Sequence, residues 1–317
     1  MAVYRFGELT LPLLRVLVDR KPLPARFLVL GSAAPDLLSQ SLETLAGRLE
    51  TVHLEGFRLG DLGPSAQNRH WLRGGFPLAY TAKNDTNSML WQRQFLQTFL
   101  ERDLPQLGIQ IPSVALGRFW NMLAHYHAQT WNGAELARAL AVSESTVRRY
   151  LDLLTGVFML RQLPPWFENL SKRQVKAPKV YVRDSGLLHA LLGIADRRNL
   201  ELHPKVGASW EGFAVEEVLK TLCPDEAYYW ATHQGAEIDL VLFKHGHRIG
   251  VECKRMDAPI LSPSMRIALS DLRLDRLLVV YPGSRRYSLA DRVEVIPLIE
   301  LVGGEGAAEH VFMKRRR

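Results

Sequence analysis

Asp239, Glu252 and Lys254 are the residues whose types and spacing point most directly to chemistry. They lie in two apolar runs rich in β-branched and aromatic residues. The first is Gly235-Ala236-Glu237-Ile238-Asp239-Leu240-Val241-Leu242-Phe243 and the second Arg248-Ile249-Gly250-Val251-Glu252-Cys253-Lys254. Between them stands Lys244-His245-Gly246-His247, so the stretch predicts a β-hairpin with a four-residue loop. Alternation along a strand turns Glu252 and Lys254 one way and Val251 and Cys253 the other. Asp239 is the lone acid between Ile238 and Leu240. Pairing of the strands can bring it to the same spot. Two carboxylates, Asp239 and Glu252, could hold a hard cation such as Mg²⁺. Lys254 beside them could orient or deprotonate a water for attack on a phosphodiester.

A Glu-x-Lys triplet is by itself common on the solvent face of hairpins, so weight falls on the elements around it. A helix is expected over 207–219, with apolar positions 210, 213, 214 and 218 on one face. After the hairpin come a helix over 262–272 and a strand over 277–281. A helix with a glutamate, a strand with the aspartate, a strand ending in Glu-x-Lys, a helix and a strand: this order resembles the PD-(D/E)XK nuclease-like fold. The resemblance implies that Glu211 joins Asp239, Glu252 and Lys254 as the helix acid, with Glu216 as second choice. Such folds host active nucleases and also non-catalytic binding modules, and both readings stay open.

Earlier in the chain, residues 8–19 carry helix-period apolar spacing, 26–30 form a continuous apolar run, 35–45 a helix and 49–54 a second strand. Strand, helix, strand suggests an α/β unit. With Arg73-Gly74-Gly75-Phe76-Pro77 and Leu100-Glu101-Arg102-Asp103-Leu104 further on, the chain resembles a bacterial and archaeal family of AAA-type ATPases carrying a nuclease-like C-terminal domain. The resemblance implies that Ser32 is the γ-phosphate sensor and Arg48 a phosphate-stabilising arginine. The sequence departs from that family in one respect. It has no G-x-x-x-x-G-K-[ST] phosphate loop and no apolar strand ending in Asp-Glu before Glu8. ATP is therefore the family's cofactor but is not expected to bind this chain, which reads as the family from the middle of the ATPase core onward.

The middle of the chain predicts helices. One spans 87–100 with Met89, Leu90, Phe95, Leu96, Phe99 and Leu100 as its apolar stripe, and another spans 116–127. Asn132 to Leu140, a turn at Ala141-Val142 and Ser143 to Leu154 then read as a helix-turn-helix, with Ser143 as cap. A wing strand follows at 157–161. On DNA, Ser143, Ser145, Arg148 and Arg149 would lie on or near the recognition helix, the arginines suited to phosphates or guanine edges. Residues 169–179 form a basic connector, 179–184 a strand and 185–192 a helix, with Asp184-Ser185-Gly186 as a helix cap.

Composition bounds the rest. The 317 residues are enough for two or three domains, and 47% hydrophobic with 23% charged content is that of a globular protein. The net charge of +7 allows a nucleic-acid partner without requiring one. Two cysteines suggest a reducing compartment and no disulfide framework. No apolar run reaches the length of a membrane span and no signal peptide is visible, so a cytoplasmic protein is expected, with DNA as a partner and self-association open. The expectation is an α/β chain in four parts: a partial P-loop ATPase core over 1–62, a helical connector over 63–112, a winged helix-turn-helix unit over 113–198 and a restriction-endonuclease-like αβββαβ domain over 199–317. Its expected role is that of a DNA-associated protein without its own nucleotide site. An Mg²⁺-dependent DNA nuclease and a non-catalytic binding or regulatory module are the alternatives.

Overall fold

Turn and cap residues set where each element starts and stops. The computed structural model describes residues 16–22, 27, 50, 52, 54–169, 171, 173–303 and 311–312. The strand-helix-strand unit expected over 26–54 lies almost entirely outside the described residues, and Ser32 and Arg48 lie outside them altogether.

Residues 16–18 are helical, and the helices that follow are α1 (Leu59–Leu62), α2 (Gln67–Arg73), α3 (Pro77–Tyr80) and α4 (Asp85–Thr98). The last continues through a π turn over Phe99–Asp103 into α5 (Leu104–Gln106). Met89, Leu96 and Phe99 are buried as the apolar stripe requires, but Leu90 is 54% exposed and takes no part in it.

Next comes α6 (Ser113–His125), then a short strand β1 (Gln129–Thr130), α7 (Gly133–Leu140), α8 (Glu144–Gly156), β2 (Leu160–Leu163) and β3 (Lys179–Val182). The strands form an antiparallel sheet in the order β1-β3-β2. Asn132 caps α7 by accepting the Glu135 amide at 3.3 Å, and Ser143 caps α8 by accepting the Thr146 amide at 3.2 Å. Ala141 sits in the left-handed region between them and ends α7. Phe119, Trp120, Leu136, Val147, Leu151 and Leu154 fill the core of this unit. The strand after α8 starts at Leu160 instead of Val157, because Val157 ends the helix and Phe158 turns the chain with φ +62°.

Helices α9 (Ser185–Leu192), α10 (Arg197–Leu202) and α11 (Val206–Leu222) lead to strands β4 (Glu226–Ala231), β5 (Glu237–Lys244) and β6 (His247–Cys253). The chain closes with α12 (Pro263–Asp271), β7 (Arg276–Tyr281), β8 (Tyr287–Ala290), β9 (Val293–Pro297) and α13 (Leu298–Val302). The six-stranded sheet runs β4-β5-β6-β7-β9-β8. Strands β4 to β6 are antiparallel, whereas β6, β7 and β9 are parallel. The described fold is thus mixed α/β. One sheet face packs Leu242, Val251 and Leu278 with Trp210, Ala214 and Val218 of α11. The other packs Val241, Val279 and Val295 with Met265 and Ala268 of α12.

The hairpin loop is shorter than expected. Lys244 and His247 still pair, leaving only His245 and Gly246 at the tip, with φ of +50° and +78°. Two positive φ values in sequence make a primed turn, whose twist matches that of the flanking strands.

One further correction concerns a connection. The stretch between β2 and β3, expected as the end of the unit at 164–166 and a basic connector from 169, instead meets β4 at 164–166 and at Val175. The Tyr229 amide donates to the Pro164 carbonyl at 3.0 Å, the Trp166 amide to the Tyr229 carbonyl at 2.6 Å, and the Val175 amide to the Ala231 carbonyl at 3.0 Å. The segment covers the edge that β4 would otherwise present, and Trp166 stacks near Phe243 with ring centroids 4.6 Å apart. The Arg73-Gly74-Gly75 turn is gripped by a residue 109 positions further along the chain. Asp184 accepts the Gly75 amide at 2.7 Å and, as the cap of α9, the Leu187 amide at 2.9 Å.

Gly74 has φ +74°, and a Cβ there would stand 2.1 Å from Asp184 Oδ1. Gly74→Ala combines left-handed strain with overpacking and should destabilise the protein by about 3 kcal/mol. Denaturant unfolding of the variant checks it, and a loss below about 1 kcal/mol would show that the turn yields.

Candidate functional site

The site forms where the β5-β6 hairpin opens. The ladder between these strands ends at Leu240 opposite Val251. On the other side of β5, Tyr228 pairs with Val241 while Trp230 pairs with Ile238. Two steps on β4 thus answer three on β5, which places a β-bulge at Asp239-Leu240. The bulge breaks strict alternation: Ile238 and Val241 share one core, Leu240 and Leu242 the other. Asp239 is the residue it re-aims. Its Oδ2 accepts the Cys253 amide at 2.8 Å, bridging the parted strands.

Glu211 lies in the second turn of α11. Its Oε1 accepts from the Tyr181 hydroxyl at 2.8 Å and stands 3.0 Å from Lys179 Nζ. Lys179 Nζ is also 3.3 Å from Asp239 Oδ1 and in contact with Glu237. Lys179 and Tyr181 are two apart on β3, so alternation points both side chains at this spot. Gly212 on α11 makes room for the approach, since a Cβ there would stand 2.2 Å from Nε2 of buried His127, whose Nδ1 accepts the Val182 amide. Lys179 is 3% exposed. Burial alone would lower its pKa, but Tyr181, Asp239, Glu211 and Glu237 hold it well above the usual lysine value.

Glu252 and Lys254 pair across 2.5 Å, and Val251 and Cys253 turn into the α11-side core. Glu252 is buried, and its Oε2 has no hydrogen-bond partner. Burial, reinforced by the charge of Asp239, pushes the Glu252 carboxyl up to about 8 against the pull of Lys254. Burial and Asp239 likewise push Glu211 up to about 7. Glu211, Asp239 and Glu252 therefore behave as one electrostatic cluster, with Lys254 at its more open rim.

Carboxylate oxygens suit Mg²⁺ in type, but each of the three carboxylates already holds a partner, with Glu252 Oε2 left unpaired. Asp239 holds the Cys253 amide and Lys179, Glu211 holds Lys179 and Tyr181, and Glu252 holds Lys254. Among the described residues no group of three or more His, Cys, Asp or Glu side chains is arranged to hold a metal ion. As it stands, the donor set does not fit a divalent cation.

Glu216, the second choice for the helix acid, lies elsewhere. It takes a bidentate grip from Arg161 and a further bond from Arg183 at 3.2 Å. Burial would raise its pKa, but the Arg161 charge and hydrogen bond hold it down at about 2. Reading the residues in order missed Lys179, Tyr181 and Glu237. A lysine opening the apolar strand Lys179-Val180-Tyr181-Val182 is the one available signal, because a lysine buried there needs counter-charge.

Of the residues expected on a recognition helix, Ser143, Ser145, Arg148 and Arg149 are all exposed, while Val147, Tyr150 and Leu151 turn inward. Arg148 makes a surface ion pair with Asp152 at 3.1 Å. They are remote in sequence from the acid cluster and share no contact with it.

The raised carboxyls fix a pH dependence. A carboxyl whose folded pKa lies above its usual 4.5 stabilises the fold fully below that value and loses the contribution as pH rises through the folded pKa. The contribution of Glu211 and Glu252 should therefore be lost between pH 5 and 8, against the opposite slope that the buried, neutral His70, His127 and His189 give below pH 6.5. Glu217, also pushed up to about 7 by burial, adds to the carboxyl slope. Glu252→Gln stays neutral throughout and should shrink the loss by on the order of 1–3 kcal/mol. Urea unfolding at several pH values reads this directly, and an unchanged slope would remove Glu252 from the cluster.

Two family models match the chain. Residues 65–198 match Domain of unknown function (DUF8612) and residues 206–301 match Domain of unknown function (DUF4143). The chain is similar to an uncharacterized protein of Mycobacterium bovis and to one of Mycobacterium tuberculosis, at 53% identity over 291 residues in each case. The similarity covers 92% of this chain but 66% of each relative, just under two thirds of their length. No solved structure matches. Helices α7 and α8 thus fall in the first matched region, and the acid cluster, with Lys179 reaching it from the first, in the second.

Proposed function

We propose that this chain is a DNA-associated protein, with a winged-helix unit that meets the duplex through α8 and a nuclease-like domain that serves as a binding and packing module. The carrying observation is the exposed face of α8. Ser145, Arg148 and Arg149 stand in solvent on a serine-capped helix, in the second position of a helix-turn-helix. The ion pair of Arg148 with Asp152 is exposed on both sides and costs little to break. The stretch between β2 and β3 lies against β4 at Pro165 and Val175, so contact would fall on α8 and its N-terminal turn.

The order α11, β4, β5, β6, α12, β7, with Glu211, Asp239, Glu252 and Lys254 where the resemblance places its acids and lysine, supports kinship with restriction-endonuclease-like domains. The likeness to AAA-type ATPases rests on sequence alone. Without a phosphate loop this chain is not an ATPase by itself. A metal-dependent nuclease is the second reading, favoured by the Glu252–Lys254 pair and the unpartnered Glu252 Oε2. The engagement of Asp239 and Glu211 with Lys179 weighs against it.

Fluorescence anisotropy with a duplex oligonucleotide over a range of salt concentrations tests the first reading. Replacing Arg148 and Arg149 together with alanine should weaken binding and flatten its salt dependence by roughly 0.9 log unit per lost phosphate contact. Equal slopes for variant and parent would assign α8 to packing, and cleavage of the oligonucleotide with Mg²⁺ would restore the second reading.

A further inference from the structure

The acid cluster already contains a cation. The Lys179 ammonium stands 3.0 Å from Glu211 and 3.3 Å from Asp239, and it touches Glu237. It has the Tyr229 ring 5.8 Å away. Nothing on its own strand asks for a charge there. The neighbours Val180, Tyr181 and Val182 are buried, and Lys179 pairs with Thr130 and Leu163 through its backbone. The side chain crosses from the three-stranded sheet to α11 and β5. Three carboxylates outnumber one ammonium, so the arrangement needs a cation and would accept a more highly charged one.

We infer that Lys179 occupies the cation position of the acid site in place of a divalent metal, and that this tethered ammonium and a metal ion exclude each other. An ammonium donates three hydrogen bonds in fixed directions and brings one charge. Mg²⁺ or Mn²⁺ would take the same carboxylate oxygens as ligands and bring two. Both cannot sit within bonding distance of Asp239 Oδ1 and Glu211 Oε1. The chain as it exists is therefore blind to divalent cations at this position. Removal of the ammonium leaves buried carboxylates uncompensated, a defect that a hard divalent ion repairs. The inference does not depend on duplex binding by α8 and fails or stands separately from it.

The experiment is thermal melting and calorimetric titration of the full chain with Mn²⁺, Mg²⁺ and Ca²⁺ at matched ionic strength. The parent protein should show no divalent-specific rise in Tm. Lys179→Met should melt lower without metal and regain several degrees in millimolar Mn²⁺, since a ligand bound only by the folded state stabilises it. Lys179→Arg, which keeps the charge, should stay unresponsive. Adding Asp239→Asn to Lys179→Met should abolish the response. A parent protein that binds Mn²⁺ in a way abolished by Asp239→Asn would overturn the inference. So would a folded Lys179→Met that ignores every divalent ion. Should that variant fail to fold, Lys179→Gln, which retains hydrogen-bond donors, replaces it under the same two outcomes.

Discussion

Charge buried away from water must be matched within the fold, and α11 is where this chain meets that requirement. The helix buries Glu216 and Glu217 outright and Glu211 in large part. Each acid draws its partner from a different segment. Glu211 takes Lys179 and Tyr181 of β3, and Glu216 takes Arg161 of β2 and Arg183 just beyond β3. Glu217 takes the Leu59 amide of α1 at 2.6 Å, with Lys220 nearby. Such pairs need not add net stability compared with apolar packing, but breaking one leaves an expensive orphan charge. They work here as registration marks. Only one placement of the three-stranded sheet on α11 satisfies Lys179, Arg161 and Arg183 together.

That placement explains why the middle unit cannot be treated as a free DNA-binding head. Strand β3 is bound to α11 through charge, and Pro164, Trp166 and Val175 are bound to β4 through backbone hydrogen bonds. The unit is therefore held on the six-stranded sheet and α11, while Arg148 and Arg149 of α8 stand in water. The helical segment is fastened similarly, by Asp184 across Gly75 and by a buried relay. In that relay Trp71 donates to Ser209, Ser209 donates to His189, and His189 donates to the Leu72 carbonyl. Burial holds the His189 pKa down at about 4, and with Ser209 and His189 both fully buried the relay is a neutral tie between α2, α9 and α11.

Local signals in the chain were legible. Ser143 and Asp184 announced helix starts through their side-chain oxygens, and the apolar runs of β5 and β6 announced the hairpin. The mixed α/β class followed from the order of elements. What escaped depends on partners distant in sequence. The two-residue turn needed His245 as well as Gly246 to take a positive φ, which residue types alone do not announce, so all four residues from Lys244 to His247 read as loop. The bulge at Asp239 leaves no mark in composition, because one added residue in an apolar strand looks like any other. Lys179 looked like the end of a basic run, since Lys172, Arg173 and Lys176 precede it, and only the fold separates one buried lysine from a tract read as solvated.

The acid cluster shows why residue type and spacing can place a site without deciding its chemistry. Asp239, Glu252 and Lys254 can occupy the positions a phosphodiesterase would need, yet reactivity depends on the charge balance among all groups within reach. Glu237 and Lys179 enter that balance, and neither belongs to the motif. With the ammonium in place, Asp239 and Glu211 are neutralised by the protein itself, and the unpartnered oxygen of Glu252 remains beside Lys254. A chain can retain the geometry of such a site as long as the site also holds two sheets in register, because the register depends on the carboxylates being paired and not on what pairs them. The acids can then persist here for a mechanical reason, which is to anchor β3 to α11 and β5.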